Sequence, residues 1–241
     1  MLEKLEKFQI LALSIVLALG LVIAVKTGVS GVSKNSISVT GSAYEIVQSD
    51  SGSMSINLQV RASSKAEAYK IAKVQLPKVL NYFENAGFSK DNIEVKAANG
   101  YVSYRYNSNG TPTGEILHYN FTQRIEVKSN DVDKIKNAAV DVQNLVSDGI
   151  DVEINEVQYY YSKLPELKVS LLEKATQDAK QRASAMLKAT HNRAGKIQSV
   201  NMGVFQITPV DSTNVSDMGI NDTSTIEKKV TAVANVVFRI K

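Results

Sequence analysis

Two histidines, a cluster of carboxylates and several tyrosines are the residues of this 241-residue chain whose types and spacing could do chemistry. His118 falls on the polar side of a strand pattern beside Asn120, Thr122 and Arg124, where a neutral imidazole could serve as a general base. It reads more simply as a solvated or hydrogen-bonded strand histidine. His191 falls in the last turn of a long helical pattern, where a protonated imidazole suits the negative end of the helix dipole. Asp148, Asp151, Glu153 and Glu156 form an acidic cluster. Asp151 and Glu153 would share a strand face able to attract Ca²⁺, but the spacing matches no EF-hand loop. Tyr101, Tyr104, Arg105 and Tyr106 mix aromatic and basic side chains as base-stacking surfaces do, without the flanking Lys/Arg stripe such surfaces need. Together with Tyr159, Tyr160 and Tyr161 they read as a sheet face or a subunit contact.

Composition removes much other chemistry. There is no Cys, so disulfide frameworks, thiolate metal sites and thiol nucleophiles are excluded together. Two histidines cannot supply a three-imidazole metal site within one chain. No phosphate-binding GxxxxGK[ST], dinucleotide-binding GxGxxG or nucleophile-elbow GxSxG occurs; Ser51-Gly52-Ser53 lacks the flanking glycine. The net charge is +4, and along the sequence it is not concentrated: residues 1–35 carry a net +2 and the remainder another +2. A nucleic-acid partner calls for a stronger, clustered excess. The expectation is a chain with no catalytic residue, no cofactor, no metal ligand set and no nucleic-acid partner.

The elements that would position these residues can be read from periodicity. Ser36–Val47 and Ser53–Ala62 alternate apolar and polar residues and read as a β-hairpin turning through 48–52, with Met54, Ile56, Leu58 and Val60 on one face. Ser64-Lys65-Ala66-Glu67 is a capping box opening a helix toward Gly87, which Pro77 should kink or split. Asn92–Tyr106 and Glu115–Val127 read as strands joined by a turn-rich loop, with Leu117, Tyr119, Phe121, Ile125 and Val127 on one face. Asp131–Val146 reads as an amphipathic helix with acids in its first turn. Ile150–Tyr161 is the next strand. A long helix then runs from about Pro165 to Asn192 and exits at Gly195, its apolar stripe being Leu164, Leu167, Leu171, Ala175, Ala179, Ala183 and Met186. Lys168, Glu173, Lys174, Asp178, Lys180 and Arg182 give that helix a mixed-sign surface. Lys196–Thr208 and Glu227–Ile240 read as strands around the polar loop 209–226. The order ββαββαβαββ predicts an α+β fold with largely antiparallel sheets packed with helices. The ββα segments 36–87 and 92–149 share an order but not a matching sequence.

Ahead of this domain the chain is of another kind. Phe8–Val25 holds eighteen residues with no charge and only Gln9 and Ser14 as polar breaks. As a helix it would span roughly 27 Å, the thickness of a bilayer core. Lys4 and Lys7 precede it, which favours a cytoplasmic 1–7 and export of the chain beyond Val25. The apolar run is longer than a usual signal-peptide core, so 8–25 reads as a retained transmembrane anchor in preference to a cleaved signal. Residues 26–35 then form a flexible tether to 36–241.

Three segments resemble the SIMPL-domain proteins. Ile37-Ser38-Val39-Thr40-Gly41 is similar to that family's opening strand. Ala175-Thr-Gln-Asp178-Ala179-Lys-Gln-Arg182-Ala183, with Gly195-Lys196-Ile197 after it, resembles its "A..DA..RA" helix and the next strand. Val230–Ile240 looks like its last strand. The resemblance covers 36–241 and implies an α+β fold, a bacterial cell-envelope location and homo-oligomers, since a periplasmic immunogenic relative forms a large hollow assembly. It carries over no catalytic residue. The resulting expectation is a non-enzymatic, single-pass inner-membrane protein with 36–241 on the periplasmic side, self-associating or scaffolding partners. Its alternatives are an envelope stress-protection or ligand-binding protein, and a soluble exported protein after signal cleavage.

Overall fold

The computed structural model describes residues 17–21 and 35–241. The segments 1–7, 8–25 and 26–35 thus lie outside the described residues, apart from 17–21, which are helical, and Asn35. Among the described residues no helix is long and apolar enough to cross a membrane. The strands are β1 (Ser36–Gln48), β2 (Ser51–Ala62), β3 (Ile93–Val95), β4 (Asn99–Tyr106), β5 (Pro112–Ser129), β6 (Val152–Tyr160), β7 (Ala194–Met202), β8 (Gln206–Pro209), β9 (Ile220–Asn221) and β10 (Glu227–Ile240). The α-helices are α1 (Lys65–Asn85), α2 (Val132–Asp141), α3 (Asn144–Ser147) and α4 (Leu164–Lys188). This is the expected α+β class with antiparallel sheets. The chain divides into two compact units, Tyr44–Leu171 with Val204–Ala232, and Met1–Ala43 with Leu172–Gly203 and Val233–Lys241.

In the larger unit, alternation in β2 buries Met54, Ile56, Leu58 and Val60, as expected. Antiparallel β5 and β6 flank β2, and β3 and β4 both pair with the far edge of β5. One face of this sheet is covered by α1 and α2, whose Val79, Phe83, Ile135 and Ala138 pack with Ile125, Val127 and Val152 into the core. Ser64 caps α1 by accepting from the Glu67 N–H at 3.2 Å, and Asp131 caps α2 through the Lys134 N–H at 3.0 Å. Pro77 does not split α1, which runs unbroken for 21 residues. A proline inside a helix costs about 3 kcal/mol. Buried Ala68 and Ala72 before it, with Val79 and Phe83 after it, hold both halves on the sheet and outweigh that cost.

The expected hairpin of the first two strands does not form. β1 hydrogen-bonds to β10, and β2 to β5 and β6. Alternation assigns a buried face to a strand but names no neighbour, so both strands have the expected pattern with other partners. The link between them is pinned to the larger unit: Ser49 N–H donates to the Ile226 carbonyl at 2.8 Å and Asp50 N–H to that of Tyr160 at 2.9 Å. The Asp50 carboxylate accepts from Ser162 N–H at 2.9 Å and Ser162 Oγ at 2.6 Å. The segment 36–87 is consequently not a ββα unit. The strand expected over 196–208 is likewise broken, into β7 and β8.

The loop expected over 209–226 contains β9, which pairs parallel with β8. It closes on a buried ion pair. Lys228, 3% exposed, donates through Nζ to the carbonyls of Asp222 at 2.8 Å and Thr225 at 2.5 Å, with Asp222 Oδ2 at 3.4 Å.

In the smaller unit, β7 runs antiparallel to the second half of β10, from Ala234 opposite Met202 to Ile240 opposite Ala194. The Ile240 N–H donates to the Asn35 carbonyl at 2.9 Å, and Thr40 Oγ1 to Asn235 Oδ1 at 2.5 Å, so β1 is antiparallel to the same stretch. Helix α4 lies close against β1: a Cβ on Gly41 would sit 2.1 Å from the Ala175 carbonyl oxygen. Buried Ala175, Ala179 and Ala183 make that approach possible. The stripe ends on buried Leu187, and the expected Met186 is exposed because the spacing of four continues from Ala183.

His191 lies three residues beyond α4, not in its last turn. It adopts a left-handed φ of 57°, its N–H donating to the Lys188 carbonyl at 3.2 Å while Asn192 N–H donates to that of Leu187 at 3.0 Å. These two bonds define a Schellman cap, in which the left-handed position normally holds glycine. His191→Gly should therefore stabilise the fold by about 1 kcal/mol, the strain of a non-glycine residue there. A thermal melt that does not rise contradicts this assignment.

Candidate functional site

The sheet face away from α1 and α2 is polar, as one face of an antiparallel sheet commonly is. It is built from Ser53, Ser55, Asn57 and Gln59 on β2, Asn120, Thr122, Arg124, Glu126 and Lys128 on β5, and Glu153, Glu156, Gln158 and Tyr160 on β6. A bulge at Asn155 puts Glu156 on the same face as Glu153 despite their odd spacing. Two depressions, of about 200 and 430 Å³, lie on this face around Glu126. Lys96, just after β3, contacts Glu94 at 2.7 Å and Glu126 at 3.1 Å. The hydrogen bond and charge of Lys96 lower the Glu94 carboxyl's pKa, and those of the two glutamates raise that of Lys96. Ser55 Oγ and Asn57 Oδ1, on the central strand, are enclosed without a hydrogen-bond partner among the described residues.

The acidic residues expected to cluster are separated in role. Asp148 caps the end of α3 and Asp151 precedes β6. Glu153 accepts from Gln59 Nε2, and Glu156 from Gln158 Nε2. Among the described residues no three His, Asp or Glu side chains converge as a metal site would require. His118 is half-buried opposite Ser103, in the larger unit, whereas His191 belongs to the smaller one. Tyr159 faces the core, where burial raises its pKa, and Tyr160 lies on the polar face.

The tyrosines of β4 occupy a different kind of surface. β2 ends at Ala62, opposite Tyr119, so Pro112–His118 of β5 pairs with β4 alone. The result is a two-stranded arm beyond the sheet. Its tip is closed by Asn107, whose Oδ1 accepts from the N–H groups of Asn109 and Thr111 at 3.0 and 2.9 Å. Strand periodicity puts Val102, Tyr104 and Tyr106 on one face of the arm and Tyr101 on the other. Tyr101, Tyr104 and Tyr106 are 61, 44 and 69% exposed, and Ile116 and Leu117 are exposed beside them. At the arm's root, Tyr101, Val102, Tyr119 and Phe121 line a depression of about 260 Å³ with Lys65 and Ala68 of α1. The expectation that Leu117 shares the buried face fails at a register shift: Ser103 pairs with His118 and Tyr104 with Ile116, so Leu117 is left without a partner across the ladder and is exposed. Alternation from Tyr119 through Leu117 leaves Ile116 off the apolar face, whereas the register shift sets it opposite Tyr104.

An isolated two-stranded ribbon is marginally stable in water, and this one displays aromatic side chains with no layer over them among the described residues. Chemically it offers apolar contact and phenolic hydrogen bonding, with Arg105 and Glu115 3.7 Å apart.

Comparison with known proteins agrees with the sequence signature. A family model described as SIMPL, protein of unknown function (DUF541), matches residues 37–238. No curated protein matches at a significant level. The match takes in β1 with Gly41, the alanine-lined α4 and nearly all of β10, so the chain belongs to the SIMPL family.

Proposed function

We propose that this chain is a non-enzymatic cell-envelope protein, anchored in the bacterial inner membrane by Phe8–Val25, whose residues 36–241 self-associate or scaffold partners outside the cytoplasm. The observation that carries the reading is the β4–β5 arm, with Tyr104, Tyr106 and Ile116 exposed and uncovered. The eighteen-residue uncharged run supports the anchor. A photo-crosslinking residue placed at Tyr104 in living cells tests the arm: capture of a second copy or of one defined partner supports the proposal, and no specific adduct refutes it.

Anchoring is tested separately. After carbonate extraction the protein should stay with membranes and retain its first 25 residues. A soluble product beginning near Val25 or Thr27 would replace the anchor with a cleaved signal. For the absence of catalysis, a hydrolase and peroxidase screen should show no turnover that His118→Ala abolishes.

A further inference from the structure

The positive charge that looks diffuse along the sequence is gathered by the fold. The smaller unit is assembled from distant segments, and its described residues 35–43, 172–203 and 233–241 carry eight Lys and Arg against only Glu173 and Asp178. The larger unit holds sixteen basic and twenty acidic side chains. Two stretches, 179–210 and 228–241, contain no acid at all, and antiparallel pairing of β7 with β10 brings them together. Arg193 and Lys241 exchange both backbone hydrogen bonds, at 2.8 and 2.9 Å. Beside them a depression of about 530 Å³ is lined by Ser184, Lys188, His191, Asn192, Arg193 and Ala194. Lys188, Arg193, Lys196, Arg239 and Lys241 are all exposed.

The position of this surface matters as much as its charge. Asn35, where the chain arrives from the apolar segment, pairs with Ile240, next to Lys241 and so to Arg193. Nine residues, 26–34, separate Val25 from Asn35, and fully extended they reach roughly 30 Å. A basic surface on a tether of that length can reach the layer, about 10 Å deep, over which an anionic surface potential acts.

We infer that the surface formed by Lys188, Arg193, Lys196, Arg239 and Lys241 binds the anionic phospholipid headgroups of the membrane that holds the chain, docking the smaller unit on the bilayer. The inference rests on the anchored reading for its location, but the surface should bind anionic lipid without it. Each Lys or Arg held near an anionic surface contributes about a fivefold gain in partitioning.

The test uses the full chain with vesicles of phosphatidylcholine alone or mixed with phosphatidylglycerol, and reads two quantities. Flotation with the neutral vesicles reports anchoring. An amine-reactive footprint reports the surface: Lys188, Lys196 and Lys241 should be protected only by the anionic vesicles, while Lys65 and Lys90 of the larger unit label equally in both. Protection should disappear at high salt and in a Lys188→Glu/Arg193→Glu variant, both sites being exposed. If the chain fails to float with neutral vesicles, the anchor is refuted, yet anionic vesicles should still capture the chain and the double variant should lose at least tenfold of that binding. Equal footprints in the two lipid compositions overturn the inference. So does the same protection by inorganic phosphate without vesicles, or by single-stranded DNA in place of lipid.

Discussion

Gly41→Ala is expected to disrupt the smaller unit. The added Cβ would lie 2.1 Å from the Ala175 carbonyl oxygen, 2.4 Å from the Ala179 nitrogen and 2.8 Å from the Ala179 Cα. All three are backbone atoms of α4, so no side chain can swing aside, and the helix itself must move away from β1. That movement strains the Ser42 N–H bond to Asp178 Oδ2, 2.8 Å long, which with the Arg182 guanidinium lowers the pKa of this carboxyl. Overpacking of side chains costs about 1–3 kcal/mol, and a clash with backbone belongs at or above the top of that range. Against a typical total of about 5–15 kcal/mol the loss is large. Urea unfolding should show a clear fall in midpoint for Gly41→Ala and none for Ser38→Ala, an exposed position on the same strand. Equal midpoints would mean that β1 and α4 are not in close contact.

Lys228→Met is the second large effect. It would leave the carbonyls of Asp222 and Thr225 and the Asp222 carboxylate without their buried donor. Breaking a buried pair from one side costs about 3–5 kcal/mol. The two partners are affected in different ways. Burial raises the Asp222 pKa, but hydrogen bonds from Thr225 and Ser224 and the Lys228 charge outweigh this and hold it at about 2. Burial lowers the Lys228 pKa, and Asp222 only partly offsets that. A depressed carboxyl pKa contributes stability that is complete above the ordinary value of 3.8 and is lost as pH falls toward about 2. Melting temperatures across that range should fall less steeply in Asp222→Asn than in the native chain. Parallel curves for the two would remove Asp222 as the titrating group.

The legible and illegible parts of this molecule divide along a physical line. Periodicity located the buried faces of β2 and α4 because side-chain burial is written residue by residue. It did not identify which strands pair, since Met54, Ile56, Leu58 and Val60 alternate identically whether the neighbour is β1 or β5. The arm was legible as tyrosines but not as an arm, because where β2 stops relative to β5 is a matter of register. The same limit hid the basic surface, whose charges come from segments separated in sequence by some thirty residues of the larger unit. The resemblance to the family, by contrast, has a structural content that the packing explains. Ala175, Ala179 and Ala183 admit β1, Gly41 fits between them, and Asp178 with Arg182 ties Ser42 to the helix. These residues serve packing, so the signature identifies a fold without naming a reaction.

The claim that the uncovered arm is an association surface is tested most directly by the mass of the intact particle. The full chain, extracted in mild detergent, should give a stable multiple of the 26.3 kDa protomer over a range of dilutions. A variant carrying Tyr104→Ser, Tyr106→Ser and Ile116→Ser should give the single protomer with unchanged circular dichroism. A native chain that is monomeric at every concentration, or a variant that keeps the native mass, would contradict self-association through the arm.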